Sequence, residues 1–251
     1  MPKFDWVPRH DIRSLDYSVR QLLPPVPTRI DKMLMARIDR LEEAVFGEAG
    51  PPIPDPPPAP SEAINWKGYV NLDQEQDGEC VGYGFAHDLD ADPLHNPVVG
   101  LQTTQNPTAE WIYEEAQRQD GSPPDEDSGA SVLGGAKACK LAGYLNSYWW
   151  CLSIQDVKDT ILHISPVVLG IPWTKDMTNP ASNGVIRATG KVMGGHCILA
   201  TGYDPASQMF RLKNSWGTGW GKKGDAFIPA ADLKMLLGQQ GEACVTVKVK
   251  L

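Results

Sequence analysis

At 251 residues with 41% hydrophobic side chains, the chain can bury a substantial core, and its length suits one two-lobed domain plus an extension. A net charge of −8, a pI near 5.1 and the lack of any basic cluster argue against a nucleic-acid partner. No run approaches the ~18 apolar residues of a membrane span, and Met1-Pro2-Lys3-Phe4-Asp5-Trp6 has no signal-peptide core, so a soluble, cytoplasmic or phage-associated protein is expected, with no membrane partner.

Residues 1–27, rich in Pro and Arg, read as an extended arm that must lie on something to be ordered. Over 28–47, Ile30, Leu34, Ile38, Leu41 and Val45 recur at helical steps between a capping Thr28 and a stop at Gly47, which predicts one amphipathic helix. Seven prolines in residues 51–60 force an extended strut, with an expected domain boundary there. The chain thus divides into 1–50 (arm and helix), 51–60 (linker) and 61–251 (a globular domain).

Within that domain a helix is predicted from Cys80 to about Asp90, diluted by Gly82 and Gly84 at about 1 kcal/mol each relative to alanine, a cost that close packing against a strand would offset. Asn106-Pro107 forms a cap and first-turn pair for a second helix with Ala109, Ile112, Tyr113 and Ala116 on one face. Further helices are expected over 131–142 and 153–164, the latter with Ser153 and Asp156 spaced as in a capping box. From Pro166 the character changes to strands: 167–171, 196–203, 209–213, 226–228 and 245–251, the last alternating as a half-buried strand does. Helices therefore precede strands.

Three stretches carry chemistry. In Asp73-Gln74-Glu75-Gln76-Asp77-Gly78-Glu79-Cys80-Val81-Gly82 a thiol sits at a helix start, where the orphan N–H groups and the macrodipole favour its anion. Gly194-Gly195-His196-Cys197 sets a histidine at the mouth of an apolar strand, and Asn214-Ser215-Trp216-Gly217 sets an asparagine beside an indole in a glycine-rich turn. A nucleophile, a base and a group to orient that base are thus present in the order Cys, His, Asn. Five cysteines without a secretory signal point to reduced thiols, and neither a metal pattern nor a dinucleotide loop is present, so no cofactor and no metal are expected.

On these residues the stretch from about 61 to 251 resembles the papain-like cysteine peptidases. Gln74 lies six positions before Cys80, Gly195-His196 leads a strand ending Gly202-Tyr203-Asp204, and Asn214-Ser215-Trp216-Gly217 is followed by Trp220-Gly221. His196 follows Cys80 by 116 positions and Asn214 by 134, against roughly 130–150 in the family, which suggests a trimmed domain. Asp77 stands where relatives place a first cysteine and Val81 where they place an aromatic, so the pattern is similar to a prokaryotic or viral branch.

The resemblance implies an α+β, two-lobed fold, with a helical lobe followed by an antiparallel, barrel-like β lobe. It also implies a cysteine endopeptidase that hydrolyses polypeptide substrates through a Cys80 thiolate and His196 imidazolium. Asn214 would orient the ring, Trp216 would cover that bond, and Gln74, rather than Gln76, would serve the oxyanion. Gly129 and Gly195 would wall the cleft, with Cys197 as a pocket-lining guess. The arm either completes the surface of the domain, docks a partner, or lies along the cleft as an intramolecular inhibitor. Two other functions fit the same residues: a catalytically weak binding or structural protein, and an amide or isopeptide hydrolase such as a cell-wall amidase.

Overall fold

The computed structural model describes residues 6–7, 62–93, 95–97, 99, 102–124 and 128–248. The helix expected over 28–47, the proline strut over 51–60, the acidic run 125–127 and the last three positions of the C-terminal strand lie outside the described residues.

Five α-helices are described: α1 (Cys80–Asp90), α2 (Pro107–Gln119), α3 (Val132–Leu141), α4 (Ile154–His163) and α5 (Ala230–Gly238). The caps follow local chemistry. Asn106 accepts from the N–H groups of Thr108 and Ala109 ahead of Pro107, Ser131 accepts from Gly134, and Ser153 from Asp156. Each such cap is worth about 1 kcal/mol. The pairing at Ser153 is half of a capping box, since the Asp156 carboxylate accepts from Leu152 N instead of reaching back to Ser153.

The strands are β1 (Ile64–Asn65), β2 (Leu145–Trp150), β3 (Val167–Thr174), β4 (Val192–Asp204), β5 (Met209–Lys213), β6 (Asp225–Pro229) and β7 (Glu242–Lys248). They form one antiparallel sheet in the order β2-β7-β3-β4-β5-β6, with β1 on β4. The sheet is open, with β2 and β6 at its ends, so the expected barrel is the looser description. Its long central strands separate two hydrophobic cores. Val168, Cys197, Leu199 and Cys244 join Cys80, Phe85, Ile112 and Ala136 of α1–α3, whereas Leu169, Ile171, Ile198, Ala200 and Val245 join Val157, Ile161, Leu233 and Leu236 of α4 and α5.

That two-sided burial corrects the reading of β7. Residues 242–246 are buried without alternation because the strand lies between β2 and β3, covered on both faces. Sequence periodicity also missed β2, whose partner arrives almost a hundred residues later, and α5, whose first turn after Pro229 has no side-chain cap.

Helix α1 is buried along all eleven residues, which is what places its first residue in the interior. A Cβ on Gly82 would lie 2.1 Å from the Ala109 carbonyl oxygen of α2, and one on Gly84 would lie 2.7 Å from Cys197 Sγ of β4. The two glycines therefore let α1 approach one helix and one strand, an extension of the single strand contact expected. The approach of α1 to both neighbours is thus set by its least bulky positions.

Candidate active site

Cys80 is the first residue of α1, after a run of turns over 75–79, and is fully buried. All five cysteines are described and none is in a disulfide. His196 lies on β4, paired across β3 with Ile171, and α1 packs directly against β4. Asn214 follows the end of β5, where its N–H donates to Gly224 O at 2.9 Å and so anchors the glycine-rich turn.

His196 and Asn214 are brought together: His196 Nε2 lies 2.8 Å from Asn214 Oδ1. The same oxygen accepts from Ser215 N at 2.9 Å. The Ser215 N–H can only donate, which fixes its partner as the amide oxygen, and an amide oxygen only accepts. His196 therefore donates from Nε2, and the neutral ring carries its lone pair on Nδ1.

Both groups have no exposed surface. Burial pushes His196 down from an ordinary value near 6.5 to about 4, partly opposed by the hydrogen bond to Asn214. At neutral pH the imidazole is thus uncharged, the form that can take up a proton.

Trp216 packs against the imidazole, the two rings tilted by 37° with centroids 4.9 Å apart. Trp173 of β3 meets the imidazole edge-on at 4.7 Å and touches Trp216 at 5.4 Å and Trp220 at 6.2 Å. The sequence reading missed Trp173. Its signal was there, since β3 continues past Ile171 through Pro172-Trp173, in register with Gly195 and Gly194.

Gln74 is buried and ties two loops together. Its N–H donates to Ser215 O at 2.9 Å, its Oε1 accepts from Ser215 Oγ at 2.5 Å, and its Nε2 donates to Asp77 O at 2.7 Å. The loop before Cys80 is thereby held against the loop that holds Asn214. Gly217, with φ +65 and its N–H on Leu72 O at 3.2 Å, closes the same junction. Gln76, in contrast, is exposed.

Gly129 adopts φ +68 immediately before Ala130 and Ser131, the cap of α3. Gly195 precedes His196 on β4. Between them lie Trp6 and Val7: Trp6 N donates to Gly195 O at 3.2 Å, Val7 N to Ala130 O at 2.9 Å, and Trp6 pairs with Ala130 in a parallel bridge.

Cys197 is placed differently from expectation. It follows His196 on a strand, so its side chain points to the opposite face, where it is 1% exposed and packed on Gly84 of α1. Burial pushes its thiol well above the ordinary range, and it lines no surface open to a substrate.

Xylellain, a cysteine protease from Xylella fastidiosa, matches with a TM-score of 0.64 at 18% identity over 98% of this chain and 96% of that one. The fold is papain-like.

A second solved structure, digestive procathepsin L 3 of the Tenebrio molitor larval midgut, matches with a TM-score of 0.52 at 14% identity over 76% and 71% of the two chains. Residues 134–233 match the model of the papain family cysteine proteases. An uncharacterised peptidase C1-like protein of Acanthamoeba polyphaga mimivirus is 22% identical over 203 residues, 63% of each chain. The chain spans less than two thirds of the length of the curated relatives it matches. No helix among the described residues is long and apolar enough to cross a membrane.

Proposed function

We propose that the protein is a papain-like cysteine endopeptidase, with residues 61–251 as its catalytic domain, and that it hydrolyses peptide bonds of polypeptide substrates without a cofactor. The observation that carries this reading is the buried His196–Asn214 hydrogen bond at 2.8 Å, on a strand packed against the helix that begins at Cys80. In the proposed reaction His196 Nδ1 takes the Cys80 proton, and the thiolate attacks the scissile carbonyl carbon while Asn214 holds the imidazolium. The C–N bond breaks as His196 returns the proton to the leaving amine. Water, deprotonated by the same ring, then opens the acyl-thioester to release the acid. The Cys80 N–H and the second Nε2–H of Gln74 donate to the oxyanion, where losing one donor typically costs about 2.7–4 kcal/mol of barrier.

The N-terminal segment is, in this reading, an intramolecular inhibitor. Its backbone hydrogen bonds to Gly195 O and Ala130 O occupy the two walls expected for a substrate, one residue from His196. That a matching structure is a procathepsin is consistent with such a role. Incubation with a cysteine-directed epoxide tests the enzyme reading: an adduct on Cys80 at neutral pH, together with loss of peptide hydrolysis in a folded Cys80→Ala chain, is expected. No adduct on Cys80 overturns it.

A further inference from the structure

His196 is walled by indoles from two elements, and the inner wall is Trp173, which has no exposed surface. On β3, Trp173 shares a face with Ile171, the residue opposite His196, and its own partner across the ladder is Gly194. A glycine there offers no side chain, so the indole has room to lean along β4 onto the imidazole two residues on, centroids 4.7 Å apart at 72°. The same indole touches Trp216 at 5.4 Å and Trp220 at 6.2 Å, and Trp220 Nε1 donates to Thr178 O at 2.9 Å. Thr178 follows the short turn after β3, so one stretch of chain supplies both the central indole and the carbonyl that anchors the outer one.

One hydrogen bond does not fix an imidazole. The Nε2–Asn214 bond at 2.8 Å sets where one nitrogen sits, yet the ring could still turn about that line and carry Nδ1 away from the proton it is to take. Contacts in two different planes, 72° from Trp173 and 37° from Trp216, oppose that rotation. Trp216 is half-buried, whereas Trp173 is sealed inside the domain and lets no water approach the ring from its side.

Side chains that meet the imidazole include Trp173 of β3, and Asn214 and Trp216 of the turn after β5, all uncharged, while the Cys80 thiol is the titratable group at the start of α1. Cys197, Glu242 and Lys213 belong to the opposite face of the sheet, in register with Gly170 and Leu199. Asp88 and Asp90 lie two to three turns further along α1, and Lys175 and Asp176, past the end of β3, are exposed. Asp73, Glu75, Asp77 and Glu79 precede Cys80, and their negative charge favours a protonated ring. Burial nevertheless holds His196 down at about 4, so the apolar walls prevail.

We propose that Trp173 is a positioning residue for the base: it holds the plane of His196 and keeps water from it, so that Nδ1 meets Cys80 dry and in one orientation. This rests on the peptidase reading and deepens it. Removing the indole lets water reach the ring and lets the ring turn. A phenylalanine keeps a flat edge in the same place and preserves both functions.

The test follows the His196 ring signal by nuclear magnetic resonance in the full chain, assigned by its loss in H196A, beside the rate at which iodoacetamide alkylates Cys80 near neutral pH. In wild type the signal is expected to stay that of a neutral ring across about pH 5–8, because its midpoint lies near 4. In W173A it is expected to titrate within that range, its midpoint moved up by about one to two units, and alkylation is expected to slow about tenfold. W173F is expected to leave the signal silent over the same range and the rate within about threefold of wild type. A silent His196 in W173A, alkylation of W173A at the wild-type rate, or a W173F chain that behaves like W173A overturns the proposal. A purely structural indole predicts the first of these, with a lowered melting temperature. If W173A does not fold, W173L keeps apolar packing, removes the flat edge, and is read by the same two criteria. An adduct on wild-type Cys80 with both readings unchanged in W173A sinks the Trp173 claim alone, whereas no adduct on wild-type Cys80 sinks the peptidase reading and this claim with it.

Discussion

Two histidines among the described residues are buried and both are neutral, yet they do opposite things. His87, on the inner face of α1, accepts from Leu72 N at 3.1 Å through Nε2, so its proton resides on Nδ1. His196, on β4, donates from Nε2 to Asn214 and keeps its lone pair on Nδ1. Burial lowers His87 to about 3, with a contribution from Lys213, and His196 to about 4. The comparison teaches that a depressed imidazole does not by itself mark a catalytic base. Tautomer and neighbours do: one ring braces the loop that leads to Cys80, and the other packs against two indoles beside an amide oxygen that can only accept.

The largest expected effect comes from breaking the second member of the pair. His196→Ala should lower kcat/KM for a peptide substrate by about 10²–10⁴, the usual range for a lost general base, with the near-ultraviolet circular dichroism unchanged. His87→Leu should leave kcat/KM within a few-fold when assayed below the melting transition. It should instead cost about 1–3 kcal/mol in urea unfolding, because Leu72 N is left buried without its acceptor.

Acid separates the two rings further. Each has a folded value below its unfolded one, near 6.5, so the unfolded chain takes up protons that the folded chain refuses. Stability is therefore complete above pH 6.5 and falls as pH drops, down to about 4 for His196 and about 3 for His87. The contributions are on the order of 3–5 kcal/mol each. Unfolding midpoints measured across this window should show a reduced slope in His87→Leu, whereas kcat/KM should fall through pH about 4 in wild type and in His87→Leu alike.

The smallest effect sharpens the packing between the two regions. Gly84→Ala drives a methyl against Cys197 Sγ and should cost about 1–3 kcal/mol, most of which the double variant Gly84→Ala with Cys197→Ala should restore. A double-mutant cycle by chemical denaturation reads that coupling.

Much of this comparison was legible before any coordinates. Asn106-Pro107, Ser131 and Ser153 announce helix starts because a cap is a local hydrogen bond, and the Cys80, His196, Asn214 order is a matter of residue type and turn chemistry. What escaped depends on distant chain. The burial of β7 on both faces follows from its place between β2 and β3, both far earlier in the chain, and no alternation within 242–248 could reveal it. Trp173 reaches the His196 ring because β3 pairs with β4 along its whole length. The misplacement of Cys197 has the same origin in reverse: adjacency to His196 in sequence means opposite faces on a strand.

The central claim, that a neutral His196 held by Asn214 activates Cys80, is tested most directly by the rate of epoxide adduct formation on the full chain, read by intact mass and peptide mapping. The account predicts a single adduct on Cys80 at neutral pH, formed at least tenfold more slowly in His196→Ala, a difference of about 1.4 kcal/mol in barrier. Equal rates in the two chains, or modification at any other cysteine in preference to Cys80, would contradict it.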